Sequence, residues 1–168
     1  MILRSTIFIA LSGSAAIALG CFATPQEQVV SPENLVKRTA RIALAKVVEA
    51  RLDLESGQVI YSFATQQAIK GAPDKSFSIT GYPLEAEMDL LTFDHHRSEE
   101  FWEGGRGRCY HDTDCQIHPA FAVGNTYLVF LDKPYHQKSF EWIQMLGTEP
   151  EKRDKWLSWV EKTVKADQ

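Results

Sequence analysis

Two short runs in the middle of the chain contain residue types that bind metals in proteins. Asp94-His95-His96 forms the first run, and His111-Asp112-Thr113-Asp114-Cys115 forms the second. Imidazole, thiolate and carboxylate are zinc ligands, and imidazole also suits copper. Neighbouring residues of a strand point to opposite faces, and no H-x-x-x-H or C-x-x-C spacing accompanies these runs. We therefore expect solvated loop histidines, with a metal site at His95, His96 and His111 as the alternative.

The common sequence signatures of enzymes do not occur in this chain. G-x-S-x-G, H-E-x-x-H and a glycine-rich phosphate loop are all missing from the sequence. Glu99 and Glu100 precede Phe101-Trp102, which is typical of a solvated face beside a buried aromatic ring. A nucleophilic Cys109 would need a lowered pKa and a neighbouring base, whereas its position six residues before Cys115 favours a disulfide. We predict no catalytic activity and no cofactor.

The first twenty residues have the features of a secretory signal peptide. Arg4 gives a positive start, Ile7–Leu19 is apolar, and Ala18-Leu19-Gly20 places small residues at positions −3 and −1 before Cys21. The alternative is a permanent membrane span, but the stretch is short and rich in Gly and Ser for that role. No other stretch is long or apolar enough to cross a bilayer. The predicted divisions are a signal peptide at 1–20, an N-terminal tether at 21–30 and a single domain at 31–168.

The charge balance argues against one class of partner. Removing Arg4 with the signal peptide lowers the number of basic residues from 18 to 17, against 22 acidic ones, and leaves a net charge of −5. The basic residues are scattered and form no Lys/Arg stripe. Nucleic acid is therefore not expected as a partner.

Three cysteines in an exported chain leave one sulfur to explain. The residues before Cys21 resemble a bacterial lipobox, with Ala at −3 where Leu is usual. In that interpretation Cys21 carries lipid, and Cys109 and Cys115 are free to pair in an oxidising compartment. In the rival interpretation an ordinary signal peptidase cuts before Cys21, which then bonds to Cys115 and leaves Cys109 free.

Alternating apolar residues predict a sheet organised around the stretch from Gln58 to Thr80. Val59, Tyr61 and Phe63 share one face of an extended chain. Thr126–Leu131 is apolar on both faces, which is typical of a central strand. A turn at Leu54–Gly57 predicts a hairpin between the first two strands, and the last strand is expected at an edge. The predicted strands are Arg41–Leu52, Gln58–Ala64, Ser76–Thr80, Thr126–Leu131 and Ser139–Gln144.

Two capping patterns predict helices at the ends of the domain. Ser31-Pro32-Glu33 combines a capping hydroxyl, Pro at the first helical position and a carboxylate near the positive end of the helix dipole. This helix is expected to end near Arg38. Thr148-Glu149-Pro150-Glu151 predicts the start of a terminal helix in the same way, and its apolar stripe is expected to dock on the sheet. The stripe consists of Trp156, Trp159, Val160 and Val164.

The segment from Leu84 to Phe121 has no clear period. Leu84–Leu91 is compatible with a strand or with one short helix, and Glu103–Arg108 is rich in Gly and Arg and is predicted to be loop. Loops of this length in compact domains are usually functional or pinned. A disulfide between Cys109 and Cys115 would pin this one.

Four pieces of the chain, taken in order, carry a family resemblance. Cys21–Pro25 is similar to a Cys-x-Cys-x-Pro opening, with Ala23 in place of the second Cys. Ala45–Ala50 is similar to a first strand, and Tyr61–Gly71 to a second strand with its Lys-Gly turn. Cys115 followed by Phe121–Val129 is similar to a Cys and a "vG-x-x-Y-L-v" strand. Together they resemble the netrin-like domain of tissue inhibitors of metalloproteinases and related bacterial envelope proteins.

The resemblance implies a fold and an activity. The fold would be mainly β, an OB-type five-stranded antiparallel barrel with flanking helices, although a β-sandwich would also suit the strands. The family's inhibitors chelate a protease zinc through the free amine and carbonyl of an N-terminal Cys. Here that residue would be Cys21, fixed by a Cys21–Cys115 disulfide. Acylation of its amine would prevent such binding, and Phe22 is bulkier than the small residue that the family usually inserts.

The sequence therefore predicts a non-catalytic exported envelope protein, lipid-anchored at Cys21, that acts as a protein-binding or structural module. Its expected partners are the membrane, through the lipid, and an envelope protein or protease. Phe22 rather than Asp after the cysteine favours an outer membrane in a diderm host; otherwise the protein would be periplasmic or secreted. The alternatives are a metalloprotease inhibitor and a metal-binding envelope protein.

Overall fold

Five antiparallel strands form one sheet in the computed structural model, which describes residues 29–84, 95–103 and 115–167. The mainly β fold with flanking helices and a C-terminal helix is confirmed. Two short 3₁₀ helices accompany these elements, at His95–Arg97 and Pro150–Lys152. The strands are β1 (Ile42–Leu52), β2 (Val59–Lys70), β3 (Ser76–Gly81), β4 (Thr126–Phe130) and β5 (Phe140–Trp142), and the helices are α1 (Pro32–Arg38), α2 (Glu99–Glu103) and α3 (Lys155–Ala166).

The strands lie in the order β3-β2-β1-β4-β5. The predicted hairpin is confirmed, because β1 and β2 are antiparallel and are joined by a turn in which Gly57 has a φ of 69°. The predicted central strand is also confirmed, since β4 lies between β1 and β5 and all five of its residues are buried. β5 is at one edge, as predicted, and β3 is at the other. β2 is longer than its apolar pattern indicated and continues to Lys70.

The sheet has an apolar core on each face, and the alternation along β4 separates them. Leu128 and Phe130 belong to the core beneath the helices, which we call the helix-side core. Tyr127 and Val129 belong to the opposite core, the bridge-side core. Because successive strand residues point to opposite faces, a strand that is apolar throughout must be covered on both sides.

The helix-side core joins the two ends of the described chain. Ser31 caps α1 as predicted, with its hydroxyl accepting from the Asn34 amide at 3.3 Å. The predicted docking of the α3 stripe is confirmed: three of its residues are buried and Trp159 is partly buried against the same core. Val30, the last residue of the predicted tether, is 7% exposed and packs there too. Ordered packing thus begins before residue 31.

The predicted start of the terminal helix is wrong. Thr148–Glu151 leads into the 3₁₀ helix, and α3 begins only at Lys155. Asp154 is the residue that caps α3, because its Oδ1 accepts from the amides of Trp156 (2.9 Å) and Leu157 (3.2 Å). Within the described ranges, none of the helices has the length and apolar character needed to cross a bilayer.

Residues 117–121, the bridging segment, connect the two edges of the sheet across the bridge-side core. At the β3 end, the Tyr82 amide donates to the Pro119 carbonyl at 3.0 Å. At the other end, the Phe121 ring meets Phe140 of β5 edge to face, with centroids 5.2 Å apart. The same ring also contacts Tyr61, Phe63 and Tyr127, each at 5.0 to 5.2 Å. An irregular segment therefore covers the bridge-side core of the sheet.

Candidate functional site

His96 lies between two carboxylates in the interior, and we call this group the His96 network. Its Nδ1 is 2.8 Å from Oε2 of Glu141, and its Nε2 is 3.0 Å from Oδ2 of Asp154. The His96 amide also donates to Glu141 Oε2, at 3.3 Å. All three side chains are at most 4% exposed. This is the most strongly charged buried cluster among the residues that the structure describes.

Three separate elements position these side chains. His96 is in the 3₁₀ helix, Glu141 is the middle residue of β5, and Asp154 is the cap of α3. Trp102 in α2 ties α2 to the 3₁₀ helix, since its indole N–H donates to the His96 carbonyl at 2.8 Å. The network therefore connects the middle of the chain to its last strand and its last helix.

The two carboxylates change the protonation of His96. Burial alone would lower the pKa of an imidazole, but the hydrogen bonds and charges of Asp154 and Glu141 reverse that effect and raise it to about 9. Burial opposes ionisation of Asp154, yet its bonds to His96 and to the α3 amides lower its pKa below the usual value. His96 is therefore an imidazolium at neutral pH, held between two carboxylates.

A second buried cation lies beside the network. Lys138 is 1% exposed, its Nζ donates to the Phe101 carbonyl, and it stands 4.5 Å from the centroid of the Phe101 ring. Burial lowers its pKa to about 8, while the charges of Glu33 and Glu141 oppose that shift. With Lys138 and His96 protonated, Glu141 interacts with two positive charges and Asp154 with one, which limits the desolvation penalty of the cluster.

The expectation of solvated loop histidines is wrong for His96, which is buried, whereas His95 is half-buried. A metal would have to displace a carboxylate from either ring nitrogen of His96, since both are occupied. No group of three or more His, Cys, Asp or Glu suited to a metal occurs among residues 29–84, 95–103 and 115–167. His111, the third predicted ligand, lies outside these residues. The exposed Glu99 and Glu100 beside a buried Phe101 are confirmed.

The cysteine predictions fall largely outside the described residues. Cys21, Cys109 and the signal peptide are not among them. The same holds for Leu84–Leu91 after Leu84 and for the predicted loop after Glu103. Cys115 is described and is half-buried, with a φ of 60°. Only Gln116 separates it from the bridging segment. The lipid attachment and both disulfide pairings stay predictions.

A surface groove of about 670 Å³, the edge groove, lies where the bridging segment meets the chain between β4 and β5. Its walls combine amide groups, a hydroxyl, an aromatic ring and the charge of Lys133, which stands 5.5 Å from the Tyr135 ring centroid. His118, one of the lining residues, stacks on Tyr82 with ring centroids 4.8 Å apart. The edge groove is lined by Gln58, Thr80, Gln116, Ile117, His118, Lys133, Pro134 and Tyr135.

Sequence reasoning missed Glu141, Asp154 and Lys138, because each looked like an ordinary surface residue in its local context. Only Asp154 carried a local signal, since an Asp just before an apolar helical stripe is a typical cap. No protein-family model and no curated protein matches the sequence.

Proposed function

We propose that this chain is a non-catalytic exported envelope protein, anchored by lipid at Cys21, that acts as a binding module through the edge groove. The observation that carries the binding role is the composition of this groove, which joins amides, an aromatic ring and a cation on a rigid support. Small sets of polar groups on an apolar wall fix the orientation of a ligand. The groups most suited to acid–base chemistry, His96 and its carboxylates, instead bind one another.

The support of the edge groove is rigid because its walls are tied to the sheet. The Tyr61 hydroxyl donates to the Tyr82 carbonyl at 2.6 Å, and Tyr82 stacks on His118. On the opposite wall, Tyr135 packs edge to face on Phe140 with centroids 4.8 Å apart. A preformed surface loses little conformational entropy on binding.

Site-specific photo-cross-linking in the native host tests the binding role. A photoreactive residue at Thr80, inside the groove, should give one discrete adduct, and the adduct should disappear when Tyr135→Ala is added. Gln67 on β2, outside the groove, is the matched control position. Equal adducts from both positions, or an adduct insensitive to Tyr135→Ala, would refute binding at this groove.

Intact-mass analysis of the mature protein tests the anchor separately. Lipidation predicts a diacylglycerol and an acyl chain on Cys21, with Cys109 and Cys115 paired. An unmodified N-terminal Cys21 would refute the lipoprotein and return the zinc-protease inhibitor to consideration, because its amine would then be free to bind zinc. Inhibition that disappears on acetylation of that amine would establish the alternative.

A further inference from the structure

The β1 strand extends past its neighbour β4 and leaves one edge open. Pairing of β1 with β4 ends at Lys46, opposite Thr126, and the last bonds to that side are made by Val47 with Gly124 and Asn125, at 2.9 Å each. Pairing with β2 continues to Leu52. Among the residues that the structure describes, Val48–Leu52 therefore have a neighbouring strand on one side only, with Val48 at a register shift in the pairing with β2, and all five are exposed. We call this stretch the free edge.

The backbone of the free edge presents hydrogen-bonding groups to solvent. Hydrogen bonds of an antiparallel ladder alternate from one side of a strand to the other. The Asp53 amide donates to the Gln58 carbonyl at 2.8 Å, so the backbone groups of Asp53 point towards β2. Every second residue before Asp53 points the same way, and Arg51 and Glu49 therefore also bond towards β2. The N–H and C=O groups of Ala50 and Leu52 consequently point outwards. Unpaired groups of this kind are a template for another strand.

The free edge alternates apolar and charged side chains, and this pattern matches that of a second, antiparallel copy of the same stretch. Val48 and Leu52 are about half exposed, at 54% and 49%. Glu49 and Arg51 are exposed and form no ion pair with any residue that the structure describes. An antiparallel copy centred on Ala50 would place Val48 opposite Leu52 and Glu49 opposite Arg51, each pair occurring twice.

We propose that the free edge is the contact surface of a homodimer, in which two copies pair β1 with β1 around Ala50. Opposite charges and paired apolar residues directly across a ladder stabilise it, whereas like charges destabilise it. Any other antiparallel register would lose the match between Glu49 and Arg51. The partner that fits this surface is a second copy of the same chain.

The ends of the free edge also suit a second copy. Leu54, in the turn after β1, is 86% exposed, and Val123, in the turn before β4, is 55% exposed. Gly124 is bonded to Val47, so Val123 stands at the opposite end of the free edge from Leu54. In the symmetric pair, each Leu54 reaches the Val123 turn of the other copy. The pairing is thus limited to about five residues and buries less area than a standard interface. Contacts of this small size are usually reversible.

Charge reversal tests the register directly. Sedimentation velocity of the purified full chain should show a monomer–dimer equilibrium that shifts with concentration. Glu49→Arg or Arg51→Glu alone places like charges opposite one another twice, and each should weaken dimerisation about tenfold or more. Mixing the two single variants restores both opposite-charge pairs and should form a heterodimer. The double variant E49R/R51E should dimerise like the native chain.

A backbone variant keeps the test independent of the charges. Ala50→Pro removes an N–H that points outwards and should abolish the dimer, while Ser78→Pro on the edge strand β3 should preserve it. Circular dichroism confirms that each variant is folded. A native chain that stays monomeric at every concentration, a dimer insensitive to the single reversals, or a mixture that fails to form heterodimer would each overturn the proposal. Loss of the dimer in Ser78→Pro alone would assign the contact to β3 and overturn it as well.

Discussion

Nε2 of His96 and Oδ2 of Asp154 lie 3.0 Å apart, and the other oxygen of the same carboxylate caps α3. Asp154 therefore has two structural roles, one for each oxygen. It compensates the charge of a buried imidazolium, and it satisfies two amides at the start of the last helix. The two roles can be separated by mutation.

Asp154→Asn should destabilise the protein through the ion pair alone, because Asn is as good a cap as Asp. Breaking a buried pair by neutralising one partner costs about 3–5 kcal/mol. Asp154→Ala removes the cap as well and should cost about 1 kcal/mol more. Urea unfolding of both variants measures the difference. Equal stabilities would show that the carboxylate does not cap α3 in solution.

The stability of the protein should fall as the pH rises above neutrality. The pKa of His96 is raised from 6.5 to about 9, so its stabilising charge is fully present below pH 6.5 and is lost as the pH rises through 9. The pKa of Lys138 is lowered from 10.5 to about 8, which stabilises the folded protein as the pH rises from 8 to 10.5. The two effects oppose each other above pH 8.

The decrease should therefore be concentrated between pH 6.5 and 8, where the free energy of unfolding falls by about 1.4 kcal/mol per pH unit, or about 2 kcal/mol in all. Chemical denaturation at a series of pH values measures it. His96→Gln is the control, since it removes the titrating group and should flatten this part of the profile. A flat profile in the native protein would contradict the charged state of His96.

Gly81→Ala should loosen the bridging segment. A Cβ at Gly81 would lie 1.6 Å from the Pro119 carbonyl oxygen, so the segment must move, and its bond from Tyr82 must break. We expect a cost of about 3 kcal/mol, at the upper end for overpacking, and faster hydrogen exchange of the Tyr82 amide. Gly57→Ala is the matched control: its φ is +69° but nothing lies within 4 Å. It should cost about 1–2 kcal/mol and leave that amide protected.

Phe121→Ala should destabilise the protein by about 3–5 kcal/mol, the usual cost of removing a buried Phe side chain. The ring is 1% exposed and contacts β2, β4 and β5 at once, so no single neighbour can fill the space. Thermal unfolding provides the measurement. Phe77→Ala is a suitable comparison, because that ring is only partly buried and stacks on Phe63 alone at 5.0 Å among the described aromatic pairs. Its loss should cost clearly less.

The strands could be predicted from the sequence because their signal is local. Val59, Tyr61 and Phe63 alternate with more polar neighbours, and this period already defines the buried face of β2. The second half of β2 carries no such period, since Gln66 and Gln67 are exposed. That half is a strand only because β1 pairs with it, which is information that a single segment does not contain.

The His96 network could not be predicted, because its parts are distant in sequence. Glu141 and Asp154 lie 45 and 58 residues from His96. Whether His96 is solvated or buried depends on where β5 and α3 pack. The same dependence explains the misplaced start of α3: Thr148 and Asp154 both precede suitable residues, and the hydrogen bond that Asp154 accepts from His96 favours the later cap.

The packing of α3 over α1 affects the order in which the protein can be completed. α1 and α3 contribute to one core, so α1 is fully covered only after α3 has formed. The shared residues are Leu35 and Val36 of α1 and Trp156, Leu157, Val160 and Val164 of α3. Until α3 has emerged from the ribosome, the apolar surface that it will cover remains accessible to chaperones. For a chain that we propose is exported, this late completion favours delivery to the translocation machinery in a state that can still be threaded across a membrane.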